Sequence, residues 1–136
     1  MDISFKFDPE VHIGEDTLSI AGTVAARHGS RIMVAAESEL DSQIVNRLKG
    51  ILEDSGLHVI VFDGIESGAS LGVANTSFAE NIVELSRAAH CDAIIGLGGH
   101  NTQIISRMAA IMTPMRITAF ELLDGRSFQN KFLPFI

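Results

Sequence analysis

Asp92-Ala-Ile-Ile-Gly-Leu-Gly-Gly-His-Asn-Thr102 is the stretch whose reading decides the fold. Ala93, Ile94 and Ile95 have the character of a short buried strand. Gly96, Gly98 and Gly99 follow it, and Asn101 and Thr102 then open an apolar-periodic helix carrying Ile104, Ile105 and Met108. A strand that turns through glycines into a helix N-terminus can hold an anion. The glycines let a phosphate approach the backbone, and the first-turn N–H groups are unpaired and lie at the positive end of the helix dipole. Glycines at such a crossover also serve plain turn geometry, and spacing alone leaves both uses open.

Outward from this stretch, strands and helices alternate. Ile3 to Phe7 alternates like a strand, and Val11 to Gly14 reads as a second short one after the Asp8-Pro9 turn. Asp16 or Thr17 can cap a helix running through Ala26, with Leu18, Ile20 or Ala21, and Val24 inward. Arg31 to Ala36 is a nearly continuous apolar run, as expected of a strand covered on both faces, and Glu37 ends it. Ile44, Val45, Leu48, Ile51 and Leu52 recur at helical spacing before Gly56 closes that helix. His58 to Phe62 is the next buried strand, followed by a turn at Asp63-Gly64. Glu66 to Ser70 reads as a loop, and a long helix to about His90 carries Phe78, Ile82, Leu85 and Ala89 on one stripe. The helix after the glycines ends near Pro114. Arg116 to Leu123 fits neither period, Asp124-Gly125 is a turn, and Phe132 to Ile136 begins another strand. This order predicts a single α/β domain: a three-layer α/β/α, Rossmann-like parallel sheet with a short N-terminal β element.

Composition narrows the function. A chain of 136 residues is long enough to bury its own core, and 46% hydrophobic with 20% charged residues excludes disorder. The formal charge of −7, spread along the chain, argues against nucleic acid or an anionic membrane as partner. No apolar run approaches a membrane span and no leader peptide is evident, so a cytoplasmic location is expected. Cys91 stands alone, which excludes an intrachain disulfide, and its apolar context reads as a buried structural thiol. The five histidines are dispersed, with no pair at helical ligand spacing, so no metal site is expected within the chain.

The usual dinucleotide fingerprint follows the first strand, with the ribose-binding acid about 20 residues further on. Here the order is reversed, since Ala35-Ala-Glu-Ser-Glu-Leu40 has no glycine and the glycines come later. In a doubly wound sheet both strand ends can still meet at one crevice.

With that order, the chain resembles the N-terminal nucleotide-binding domain of the iron-containing alcohol dehydrogenase family over essentially all of residues 1–136. Met33 to Glu37 is similar to a strand of the family that ends in an acidic or small residue. Val61-Phe-Asp-Gly-Ile65 is similar to "V-x-D-G-V", Asp92 to Arg107 to "D-x-I-I-x-x-G-G-G-S-x-x-D-x-A-K", and Leu133-Pro-Phe-Ile136 to "l-P-f-I". The departures are specific. His100 replaces the third glycine, Asn101 replaces the motif serine as an N-cap, Ile104 replaces its Asp, and Arg107 replaces its Lys. Ser67-Gly-Ala-Ser70 stands where the family has Pro-Asn-Pro-Thr.

The resemblance implies a cofactor site built from Glu37, Gly98, Gly99, His100, Asn101 and Thr102. Glu37 would accept hydrogen bonds from the adenosine ribose, favouring NAD over NADP, or else simply solvates a strand end. Glu39 is the competing acid and is expected to face solvent. Gly98 and Gly99 would meet the diphosphate, and His100 would either donate to phosphate, obstruct it with its Cβ, or face solvent. No catalytic residue is expected here. The iron or zinc of the family is implied to sit in a C-terminal helical domain that these residues do not include. The implied function is hydride transfer between a nicotinamide and an alcohol or carbonyl, with the isolated chain inactive. The alternative is a non-catalytic nucleotide-binding or structural domain with a degenerate glycine motif. The apolar strands at the two ends of the chain predict self-association, so light scattering at micromolar concentration should give a dimer or larger species. A clean monomer would refute exposed apolar edges.

Overall fold

A computed structural model describes residues 12–66, 73–115 and 133–136. The sequence readings at Ile3 to Phe7, Ser67 to Ser70, Arg116 to Leu123 and Asp124-Gly125 lie outside the described residues. The strands are β1 (Arg31–Glu37), β2 (His58–Ile65) and β3 (Ala93–Leu97), all parallel in the order β2-β1-β3. The helices are α1 (Ala21–Ala26), α2 (Ser42–Asp54), α3 (Val73–Ala88) and α4 (His100–Met115). Residues 133–136 run parallel to β3 on its free side. The Ile94 amide donates to the Pro134 carbonyl, the Gly96 amide to Ile136, and the Ile136 amide back to Ile94.

β1 is central because its residues from Ile32 to Ala36 are all buried, so each face of the strand has an apolar row. Strand side chains alternate between faces. Met33 and Ala35, with Ile94, pack under α3 and α4 against Ile82, Ile105 and Met112. Ile32, Val34 and Ala36, with Ala93 and Ile95, pack under α1 and α2 against Ala25, Leu48 and Leu52. The expected three-layer arrangement follows directly.

α2 shows how local chemistry bounds an element. The Asp41 side chain accepts from the Gln43 amide at 2.9 Å, which satisfies a first-turn donor. At the other end the Gly56 and Leu57 amides return to the Glu53 and Leu52 carbonyls, closing the helix at the expected glycine. At the end of α4, Pro114 lies inside the helix and has no N–H to give to Ala110, four residues back. The Ala110 carbonyl instead accepts the Leu133 amide at 3.0 Å, which ties the terminal strand to α4.

Several elements depart from the sequence reading. His12 to Gly14 form no strand. The helix expected from Asp16 begins as a 3-10 turn, Thr17–Ile20, and the Asp16 carboxylate caps nothing because it pairs with Arg47. Asp63 and Gly64 do not make a turn. β2 continues through them to Ile65, with a register shift opposite Ala35 and Glu37 that absorbs the extra length. Ile44 and Leu85, read as inward, are exposed. The buried stripe of α3 is Ala79, Ile82, Val83 and Ser86, so small residues let α3 approach α4 and the large Leu85 is left outside. Cys91 is buried as expected, and burial pushes its thiol pKa up, with Asp92 adding to the effect.

At the amino-terminal end of the seam between β1 and β3, the Asp92 carboxylate accepts the Ser30 amide at 2.8 Å and the Arg31 amide at 3.0 Å. These two N–H groups, Ser30 first, hold the Asp92 carboxyl below the ordinary aspartate value of 3.8. A carboxyl with a lowered folded pKa stabilises the fold above its unfolded value and loses that contribution as pH falls through the folded one. Asp92→Ala should therefore lower the melting temperature at neutral pH. The gap to the parent protein should close on acidification, as thermal unfolding from about pH 7 to about pH 3 would read. A gap that is constant across that range would refute the clamp.

Candidate functional site

The connection from β1 to β2 carries α2 on one face, and the next connection carries α3 on the other, toward β3 on the opposite side of β1. The strand order therefore reverses between β1 and β3. Ligands of open parallel sheets bind at such a switch point, beyond the carboxyl ends of the strands. Glu37 ends β1 there, and Gly98 and Gly99 follow the end of β3.

The two ends touch. The Gly99 amide donates to Glu37 Oε1 at 2.6 Å, and Thr102 Oγ1 donates to the same oxygen at 3.0 Å. Gly98 has φ +153°, a conformation that side chains rarely adopt, and a Cβ added to it would lie 2.7 Å from Glu37 Cγ. The Glu37 side chain thus lies directly over the glycine turn. Gln103 braces the turn from beneath, its Nε2 donating to the carbonyls of Gly96 at 2.9 Å and Gly98 at 3.3 Å. The Gly99 carbonyl accepts the first helical bond, from the Gln103 amide at 3.1 Å.

Of the expected site residues, Glu37, Gly98, Gly99 and Thr102 converge. Helix α4 begins two residues earlier than the N-cap reading requires, at His100, so Asn101 sits inside the first turn and is not the cap. Its Nδ2 reaches toward the Glu66 carbonyl at 3.5 Å. His100 is exposed at the first helical position. Thr102 is 0% exposed, so its hydroxyl serves Glu37 and presents no free surface. Glu39 is exposed, as expected. The sequence reading missed Gln103, which follows three other polar residues at the start of α4 and so carries no signal of its own in the sequence. It also missed an open cleft of about 720 Å³ that runs from Gly96 to Gly98 past Gln103 and is walled by Leu18, Leu48 and Ile136.

Among the described residues no group of three His, Cys, Asp or Glu side chains could hold a metal ion. His12, His28, His58, His90 and His100 are each exposed, and His90 adopts φ 55° where α3 terminates. Among the same residues no helix is long and apolar enough to cross a membrane.

An acid and a glycine turn thus meet at the switch point of a parallel α/β sheet, where open sheets of this kind place a ligand crevice. The profile of the iron-containing alcohol dehydrogenases matches residues 8–136, and the chain belongs to that family. Solved structures agree in fold. An iron-containing alcohol dehydrogenase from Thermotoga maritima superposes with a TM-score of 0.79 at 22% identity, over 97% of this chain and 36% of its own. The NADH-dependent butanol dehydrogenase A of the same organism gives 0.75 at 17% identity, over 98% and 33%. Sulfoacetaldehyde reductase from Bifidobacterium kashiwanohense, in complex with NAD+, gives 0.71 at 21% identity, over 90% and 31%. The chain therefore spans about a third of the length of these structures. No curated protein matches it significantly.

Gly98→Ala should disturb the turn by two routes, the backbone conformation and the collision with Glu37. A loss of about 1–3 kcal/mol in chemical denaturation is expected. Parent-like stability would show that Glu37 does not rest on Gly98.

Proposed function

We propose that this chain is the dinucleotide-binding part of a dehydrogenase that moves hydride between a nicotinamide and an alcohol or carbonyl, with NAD preferred to NADP. The single observation carrying this reading is the meeting of Glu37 with the Gly98-Gly99 turn at the N-terminus of α4. In the proposed complex the diphosphate lies against Gly98, Gly99 and the first-turn amides of His100 and Asn101, where the helix dipole favours negative charge, and the buried Thr102 acts only through its hydroxyl on Glu37. Glu37 accepts from the adenosine ribose hydroxyls, and its charge opposes a 2′-phosphate. Family membership, the NADH dependence of the butanol dehydrogenase and the NAD+ complex of the sulfoacetaldehyde reductase support the choice of NAD. The described residues bring together no set of side chains that fits the iron or zinc of the family.

One observation favours a second reading. The Glu37 carboxylate is already hydrogen-bonded to the turn, as it would be in a structural domain that had given up cofactor binding.

Two outcomes are expected. The purified chain should show no alcohol or aldehyde turnover with NAD or NADP, with or without added iron or zinc, and measurable metal-dependent reduction would overturn this. The chain should bind NAD or ADP-ribose weakly, near the millimolar range of a partial site. Gly99→Val should abolish that binding. The neighbour a Cβ would meet there is Glu37 Oε1, at 3.1 Å, so the change crowds the phosphate position without emptying the core. Glu37→Ala should narrow the preference for NAD over NADP. Calorimetry on the three proteins reads all of this, and identical binding by the parent and Gly99→Val would favour the structural reading.

A further inference from the structure

We propose that Glu37 is the resident anion of the phosphate cradle, and that it makes the site refuse a bare diphosphate while admitting one attached to a ribose. This rests on the nucleotide-binding reading above and adds to it a rule of selectivity. One oxygen of Glu37 holds both the Gly99 amide, at 2.6 Å, and the Thr102 hydroxyl, at 3.0 Å. Carboxylate-to-amide contacts of this kind at a helix start are charge-assisted and short. The side chain also fills the space that a phosphate needs. An added Cβ on Gly98 would lie 2.7 to 2.8 Å from Cγ, Cδ and Oε1 of Glu37, and one on Gly99 would lie 3.1 Å from Oε1.

A phosphate oxygen cannot share the Gly99 N–H with Glu37, because the two anions would stand in one another's contact distance. Binding therefore requires that the carboxylate leave. Inorganic pyrophosphate displaces it and returns at most a single O–H on a multiply charged anion, so Glu37 gives up an N–H and an O–H partner and keeps a repulsive charge nearby. A ribose vicinal diol supplies two O–H donors, which replace the two that Glu37 gives up. The exchange is balanced for ADP-ribose and unbalanced for pyrophosphate. A 2′-phosphate removes one of the replacement donors and adds charge. Glu37 is therefore a specificity-determining residue through what it blocks as well as through what it binds.

The probe is inorganic pyrophosphate compared with ADP-ribose, titrated into the parent chain, Glu37→Gln and Thr102→Val, with the Gly99 amide followed by NMR. Glu37→Gln keeps the size of the side chain and removes its charge. Thr102→Val keeps the charge and removes one of its two anchors. In the unliganded parent the Gly99 amide should resonate far downfield and move back in Glu37→Gln. Glu37→Gln should bind pyrophosphate about ten-fold more tightly than the parent, with Thr102→Val between them. Equal pyrophosphate affinity in all three proteins, no pyrophosphate binding by any of them, or an unchanged Gly99 amide in Glu37→Gln would each overturn the proposal. A Glu37-dependent gain in pyrophosphate affinity with no ADP-ribose binding by any protein would uphold the seating of Glu37 and overturn the nucleotide reading instead.

Discussion

The burial of β1 on both faces is the constraint from which the rest follows. Every residue from Ile32 to Ala36 is removed from solvent, and the strand is hydrogen-bonded along both edges, to β2 and to β3. A strand in that position needs helices above and below, which fixes α1 and α2 on one side and α3 and α4 on the other. It also fixes where the connections must part, and so where the crevice lies. Truncating a buried leucine such as Leu52, on the α1 and α2 side, would cost roughly 2–5 kcal/mol, a large share of the stability of a domain this size.

That constraint explains what could be read in advance. Continuous apolar runs at Arg31 to Ala36 and Ala93 to Ile95 have few alternatives to a buried parallel strand, and Asp41 and Gly56 mark α2 through local hydrogen bonds that hold in any context. The meeting of Glu37 with the glycine turn follows from the strand order, so the acid and the glycines could be placed together despite their separation of about 60 residues.

The misreadings share a cause, which is competition from partners distant in sequence. Asp16 has a capping residue's chemistry, but Arg47 on α2 takes its carboxylate. Asp63-Gly64 has a turn's composition, yet pairing with β1 keeps it in the strand. Leu85 belongs to a helical stripe, but contact with α4 selects the narrower face of Ala79, Val83 and Ser86. At the site, Thr102 was identifiable as polar at a helix start, but its complete burial against Glu37 depends on a strand that lies far back along the chain. The family's glycine motif is altered in this chain at His100, and Gln103 spans the turn with side-chain bonds to the carbonyls of Gly96 and Gly98.

The seam between β1 and β3 is clasped at both ends by the same device. At one end the Asp92 carboxylate takes the amides that begin β1 and rests on Gly29, at φ +151°, where an added Cβ would fall 2.4 Å from Asp92 Cβ. At the other, Glu37 takes an amide beyond β3 and rests on Gly98. Each clasp is an acid closed over a glycine, Glu37 at the end of β1 and Asp92 just before β3. Undoing the Glu37 clasp leaves the other clasp and the whole backbone ladder in place. The seam is therefore buttoned at both rims, and the backbone ladder between them does not depend on either button.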